Sequence, residues 1–193
     1  MKMAPATARR YATWLLLVLV VHAVAVWAMP RLIMRVAMSR LGAGAPTVAS
    51  SAAAPGVPRA NDHAHAVYPP LATAASRVIV LPSPDLGYAL CLYDLSRGHV
   101  DIDAAPQWPA YWSVALYADN TDNFLVRNDR AAGERPVHWR LALSRATPSA
   151  GRELIVSPSA RGLVLLRVLV ANREEQAAAV AQAQRALHCR SVG

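Results

Sequence analysis

The order of apolar and polar positions divides the chain into three stretches. From residue 11 to residue 29 there is no Asp, Glu, Lys or Arg, and a helix of that length rises about 28 Å, close to the hydrocarbon thickness of a bilayer. The pattern predicts one transmembrane helix. Tyr11 and Trp14 mark one end and Trp27 the other, where amphipathic rings sit at the two interfaces, with Pro30 just beyond. Residues 32–41 continue apolar between Arg31, Arg35 and Arg40 and read as an extension of the same helix along the headgroups. From 42 to 76 the periodicity disappears into a run rich in Ala, Pro, Gly and Ser, the composition of a linker. Beyond it, short runs of Val, Leu, Ile, Tyr and Trp recur between Pro, Gly, Asn and Asp, the signature of a mainly β domain. Eight strands are predicted, at 77–81, 88–95, 99–103, 111–118, 123–128, 137–144, 153–156 and 162–170.

Within the fourth strand Trp112, Val114 and Leu116 alternate with Ser113, Ala115 and Tyr117, so one face is core. In the eighth, Val164, Leu166, Val168 and Val170 form an apolar face, with Arg167 on the opposite side among Leu163, Leu165 and Leu169, as expected of a central strand. Asn172 before Arg173-Glu174-Glu175 predicts a capped helix running to about His188, with Glu175 reaching back as in a capping box. Its narrow stripe of Ala177, Val180, Ala183 and Leu187 suits docking on a sheet. The fold expected is therefore an antiparallel β-sandwich, jelly-roll-like, with one C-terminal α-helix and one transmembrane helix before it. Its parts are a tail, membrane helix and juxtamembrane extension at 1–41, a linker at 42–76 and the sandwich with its helix at 77–190.

Composition changes this picture little. Hydrophobic residues make up 54% and charged residues 17%, below the roughly 25% charged of an average soluble chain. The first 76 residues carry +6 of the net +8, so the basic excess flanks the apolar helix, and nucleic acid is not an expected partner. Lys2, Arg9 and Arg10 precede the helix while Arg31, Arg35 and Arg40 follow it, a near tie that leaves orientation open. A cleaved signal peptide is the rival to an anchor, since Val26-Trp27-Ala28 loosely resembles a processing site; Trp27 and Met29-Pro30 argue against it.

The candidate chemistry is sparse. His63 and His65 lack Cys or paired carboxylates nearby, so no metal site or cofactor is expected. The run from Asp119 to Asn123 is rich in side-chain oxygens, but Phe124 and Arg130 occupy the sixth and twelfth positions, where a calcium loop needs Gly and Glu; a hairpin turn is the better reading. Asp94, Asp122, Arg127, Asp129 and Arg130 form the candidate polar cluster, the set a hydrolytic pocket would draw on, although turn residues and arginine partners explain them more simply. Trp108, Tyr111, Trp112, Tyr117 and Trp139 are candidate contact aromatics, with buried core their commoner fate. Cys91 and Cys189 offer one disulfide in an oxidising compartment, worth up to about 4.7 kcal/mol by chain entropy; two unrelated thiols are the alternative.

The run GYALCLYDLSRGHVDIDAAPQWPAYWSVALYADNTDNFLVRNDR, the later ELIVSPSARGLVLLRVLV and the terminal Cys resemble the bacterial family of domain of unknown function 1254, in its short membrane-anchored form. The resemblance covers residues 77–189. Its most specific pieces are Tyr93-Asp94-Leu95, Tyr111-Trp112-Ser113, Asp122-Asn123-Phe124, Asn128-Asp129-Arg130, Ser157-Pro158 and Arg161-Gly162-Leu163. It implies a single-pass protein of the bacterial inner membrane with its β domain in the periplasm. It also implies a protein partner carrying a second β module, domain of unknown function 1214, which longer members hold in the same chain and which this chain stops short of. It supplies no catalytic residues. The function expected is a non-catalytic binding or assembly module; the alternative is a hydrolase acting on an envelope glycan or lipid.

Overall fold

Alternation of side chains decides which faces meet in the computed structural model, which describes residues 5–44, 63–73, 76, 82–133, 135–144 and 151–192. The strands are β1 (Ala64–Val67), β2 (Leu86–Asp94), β3 (His99–Ala104), β4 (Trp112–Ala118), β5 (Asn123–Asn128), β6 (Val137–Ala142), β7 (Glu153–Val156), β8 (Arg161–Leu169) and β9 (Leu187–Val192). They form a five-stranded sheet in the order β1-β2-β8-β4-β5 and a four-stranded sheet in the order β7-β6-β3-β9. Ala89, Cys91 and Tyr93 of β2, Val164, Leu166 and Val168 of β8 and Val114 and Leu116 of β4 point inward. They pack on Val100 and Ile102 of β3 and on Val137, Trp139 and Leu141 of β6. The two sheets thus close one core, with β8 between β2 and β4 as its central strand. Burying such branched and aromatic side chains contributes about 1.5–3 kcal/mol each.

Helix α1 (Pro5–Gly44) precedes the sheets as one 40-residue helix, α2 (Asp129–Ala132) is a single turn, and α3 (Arg173–Gln184) joins β8 to β9. Within α1, Arg9–Leu41 is long and apolar enough to cross a membrane, with a mean hydropathy of 2.2 over its best 18-residue window. Such a helix suits an anchor or a signal.

Several expectations are corrected. The sandwich is not wholly antiparallel, because β7 runs parallel to β6. The ten residues at 143–152 give the chain enough length to return alongside β6, near the dozen or so that a parallel connection needs. The linker ends earlier than expected: β1 lies inside 42–76 and pairs with β2, burying Val67. Helix α3 stops at Gln184 instead of near His188, and Leu187–Val192 is a strand beside β3. There Leu187 is buried and His188 exposed, a period-two segment that prefers a sheet edge to another helical turn. Asn172 caps α3 as expected, accepting from Glu174 N and Glu175 N, but it is Gln176 Oε1 that reaches back to Asn172 N at 3.1 Å. The strand expected at 77–81 lies outside the described residues.

Candidate functional site

The candidate polar cluster does not assemble. Asp94 ends β2 and Asp122 closes the β4–β5 turn at the same end of the five-stranded sheet, whereas Asp129 and Arg130 lie in α2 at the other end of β5. Arg127 points inward from β5 and bridges the sheets: its Nη2 donates to Glu153 at 3.0 Å, Trp139 Nε1 donates to the same carboxylate at 3.0 Å, and the guanidinium lies 5.8 Å from the Trp139 ring centroid. Trp112 and Trp139 are core, while Tyr111 is exposed. Among the described residues no group of three or more His, Cys, Asp and Glu is placed to hold a metal.

The residues around Tyr93, Ser157 and Gly162 meet at one corner. Tyr93 points into the core, and its hydroxyl donates to Tyr117 O at 3.0 Å and lies 3.2 Å from Ser157 Oγ. Burial pushes the Tyr93 phenol up to about 12, against the opposing hydrogen bonds from Ser157 and Ser159, so it stays protonated. A Cβ at Gly162 would collide with the Tyr117 carbonyl and the Tyr93 hydroxyl, so the corner requires glycine there. Beside it Asp94 accepts from Arg161 Nε at 2.8 Å and Ser96 Oγ at 2.5 Å, and these bonds outweigh burial to hold its carboxyl below the ordinary range. Asp119 N donates to Ser159 Oγ at 3.1 Å, and Leu95 N to Ala160 O at 2.7 Å. These side chains brace strand ends.

The densest gathering of charge lies on the outer face of the four-stranded sheet, where sequence reasoning did not look. Register places Asp101 of β3 opposite Arg140 of β6 and Arg190 of β9, and Asp103 opposite His138 and His188. Two cross-strand rows result, each with an acid between basic side chains, the arrangement that stabilises neighbouring strands. Asp101 takes Arg140 in a two-pronged bond at 2.7 and 2.9 Å, Arg190 at 3.3 Å and Arg152 at 3.2 Å. Arg152 also pairs with Asp103 at 3.0 Å, and His138 Nδ1 lies 2.6 Å from the same acid. Asp101 is only 1% exposed. Burial alone would raise both carboxyls, but the guanidinium hydrogen bonds prevail and both lie below the usual carboxylate range. Both acids are therefore ionised at neutral pH and poorly suited to donate a proton. The alternation of Asp101 and Asp103 with Val100 and Ile102 was a readable signal; their basic partners were hidden by the pairing of distant strands and by reading β9 as helix.

Cys91 of β2 and Cys189 of β9 are joined by a disulfide, with Cα atoms 6.4 Å apart. It ties the two sheets together, and it points to an extracytoplasmic domain.

The family described as Protein of unknown function (DUF1254) matches residues 61–191. The chain belongs to this family. The match begins just before β1, so the DUF1254 unit includes the edge strand that the linker reading left out. No curated protein matches the chain. Among solved structures, the VPA0106 protein of Vibrio parahaemolyticus is similar, with 14% identity and a TM-score of 0.51 over 57% of this chain and 29% of that one. An uncharacterised protein from Burkholderia cenocepacia aligns with 16% identity and a TM-score of 0.44 over 77% of this chain and 37% of that one. The DUF1254 chain thus corresponds to about a third of the length of either structure, and the Vibrio likeness is one of fold alone.

Proposed function

We propose that this DUF1254 protein is a non-catalytic binding or assembly module of the bacterial cell envelope. In this reading α1 is an uncleaved single-pass anchor in the inner membrane and the β domain lies in the periplasm. Its partner is a protein carrying the second β module, of unknown function 1214. The observation that carries the reading is the saturation of the charged face: Asp101 is already bonded to Arg140, Arg152 and Arg190, so the groups that would do acid–base work are committed to one another. Such a lattice makes a stiff polar surface suited to recognition. The shared fold occupying 29% of the longer Vibrio chain supports a module that works beside further protein. The test is affinity capture of the anchored protein from detergent-solubilised membranes, with co-purification of a second β-module protein expected.

One observation favours the rival hydrolase reading. His138 and Asp103 form the base-and-orienter pair of a hydrolytic triad, although among the described residues no hydroxyl or thiol bonds to His138. Recovery of a lone monomer whose glycan or lipid hydrolysis disappears in His138→Ala would establish that reading and defeat the assembly module.

A further inference from the structure

Helix α1 changes its surroundings at Pro30. Before it, apolar side chains from Tyr11 to Met29 stand free of the protein, between 49% exposed at Leu17 and 65% at Tyr11. After it, Met34 is 6% and Leu41 4% exposed. Arg31, Ala37 and Met38 are half-buried on the same side. That spacing of three and four residues is the stripe by which a helix faces a surface. Leu41 packs with Val67 and Leu90, bordered by Tyr88, Leu92 and Leu165, on the outer face of the five-stranded sheet. At the other end of the contact Asn120, in the β4–β5 turn, shares a shallow groove with Val26, Trp27, Pro30 and Arg31.

These two contacts agree on a direction. Leu165 pairs with Ala115, five residues before Asn120, a strand distance of about 17 Å. The eleven helical steps from Pro30 to Leu41 rise about 16 Å. The helix therefore runs along the sheet, with its membrane end at the β4–β5 turn. Arg31 also lies over the Trp27 ring at 4.4 Å and donates to the Trp27 carbonyl at 2.6 Å, which places a cation beside the interfacial aromatic.

We propose that this end of the domain, formed by the Asp119–Asp122 turn and the adjoining loop around Ser159, rests on the phospholipid headgroups, and that residues 31–41 are the strap that holds it there. The inference deepens the anchor reading and rests on it. If Trp27 lies at the interface, Asn120 beside it lies at headgroup depth, a polar, hydrogen-bonding layer that suits the Asn120 amide and the Thr121 hydroxyl. The far end of β8, nine residues away, stands about 30 Å further out.

The test uses the full chain in vesicles of phosphatidylethanolamine and phosphatidylglycerol that carry a nitroxide on a fraction of the headgroups. Because both native cysteines are bonded, Asn120→Cys and Ala171→Cys each supply one thiol for a fluorophore. Quenching at least threefold stronger at 120 than at 171 is expected. Equal, weak quenching at both sites in protein that resists carbonate extraction overturns the headgroup contact while leaving the anchor standing; release by carbonate overturns the anchor and this contact with it. The Met34→Asp/Leu41→Asp double variant, checked for retained near-ultraviolet dichroism, should lose the contrast between the two sites while staying in the membrane. A folded variant that keeps the contrast overturns the strap.

Discussion

Asp101 shows how much one buried acid can organise. Nearly inaccessible itself, it is bonded to three guanidiniums whose other ends reach solvent, so Asp101→Asn leaves Arg140 and Arg190 without this charge partner and Arg152 with Asp103 alone. The expected loss is about 2–3 kcal/mol by chemical denaturation of the full chain in detergent, at the low end for a buried pair because the arginines remain partly hydrated. Its pH dependence has a fixed sign. The folded carboxyl lies below its ordinary value, so its stabilisation is fully present above the unfolded value of about 3.9 and disappears as the pH falls through the folded one. The difference between the native protein and Asp101→Asn should be flat from pH 7 to 5 and shrink below about 4; a difference that grows on acidification contradicts the assignment. Gly162→Ala should be harsher, above about 3 kcal/mol or a failure to accumulate folded protein, since the collision is with backbone. Tyr93→Phe, which leaves Ser157 without that partner but opens no space, should cost only about 1–2 kcal/mol on the same assay. The pieces that carried the family resemblance were legible as marked residues. That they brace a corner was not legible, because Tyr93, Ser157 and Gly162 meet only after β2 and β8 pair.

At the scale of elements, legibility followed the strength of the alternation. Strands β5 and β7 coincide with the stretches expected from sequence, and β2, β3, β4, β6 and β8 differ from them at their ends by a residue or two. Strand β9 was missed because the helical stripe through Val180 and Ala183 runs on to Leu187, so two periods compete for the same residue; β3, with Asp101 and Asp103 waiting opposite Arg190 and His188, decides it. Strand β1 was missed because an Ala-rich tetrapeptide has little pattern, and it is held as an edge by pairing to β2. Arg167, recognised from sequence as the odd residue on its face, stays odd in the fold. Its Nε is buried without a hydrogen-bond partner among the described residues, as is the hydroxyl of Ser113 directly across the pair from it. Arg167→Met should therefore be neutral or stabilising by up to about 1 kcal/mol, unlike truncation of any ion-paired strand arginine. A loss beyond about 1.5 kcal/mol in the same denaturation assay would mean that this guanidinium has an acceptor the fold does not reveal.

For the whole molecule the question is what holds two sheets of different size together. The apolar core is continuous, but β9 is an edge of its sheet and, among the described residues, is joined to that sheet only through β3. The Cys91–Cys189 bond fastens that edge to β2 in the opposite sheet across a sequence separation of 98. A cross-link of that span removes about 4.7 kcal/mol of denatured-state entropy, a sizeable share of the 5–15 kcal/mol that keeps a typical domain folded. Replacing both cysteines by Ala also removes buried sulfur from the core at Cys91, so the two effects act in the same direction. The double variant should lose about 3–5 kcal/mol and melt roughly 10–20 °C lower by calorimetry. Its far-ultraviolet dichroism at 20 °C should stay β-rich, because β8 and its neighbours bury Val164, Leu166 and Val168 without help from the bridge. Reducing agent should lower the melting point of the native chain by the cross-link's share of that shift, since both sulfurs stay in place, and leave the double variant unchanged. A melting point within about 2 °C of the native value would show that the core alone carries the terminal strand and that the bridge is a passenger of the oxidising compartment.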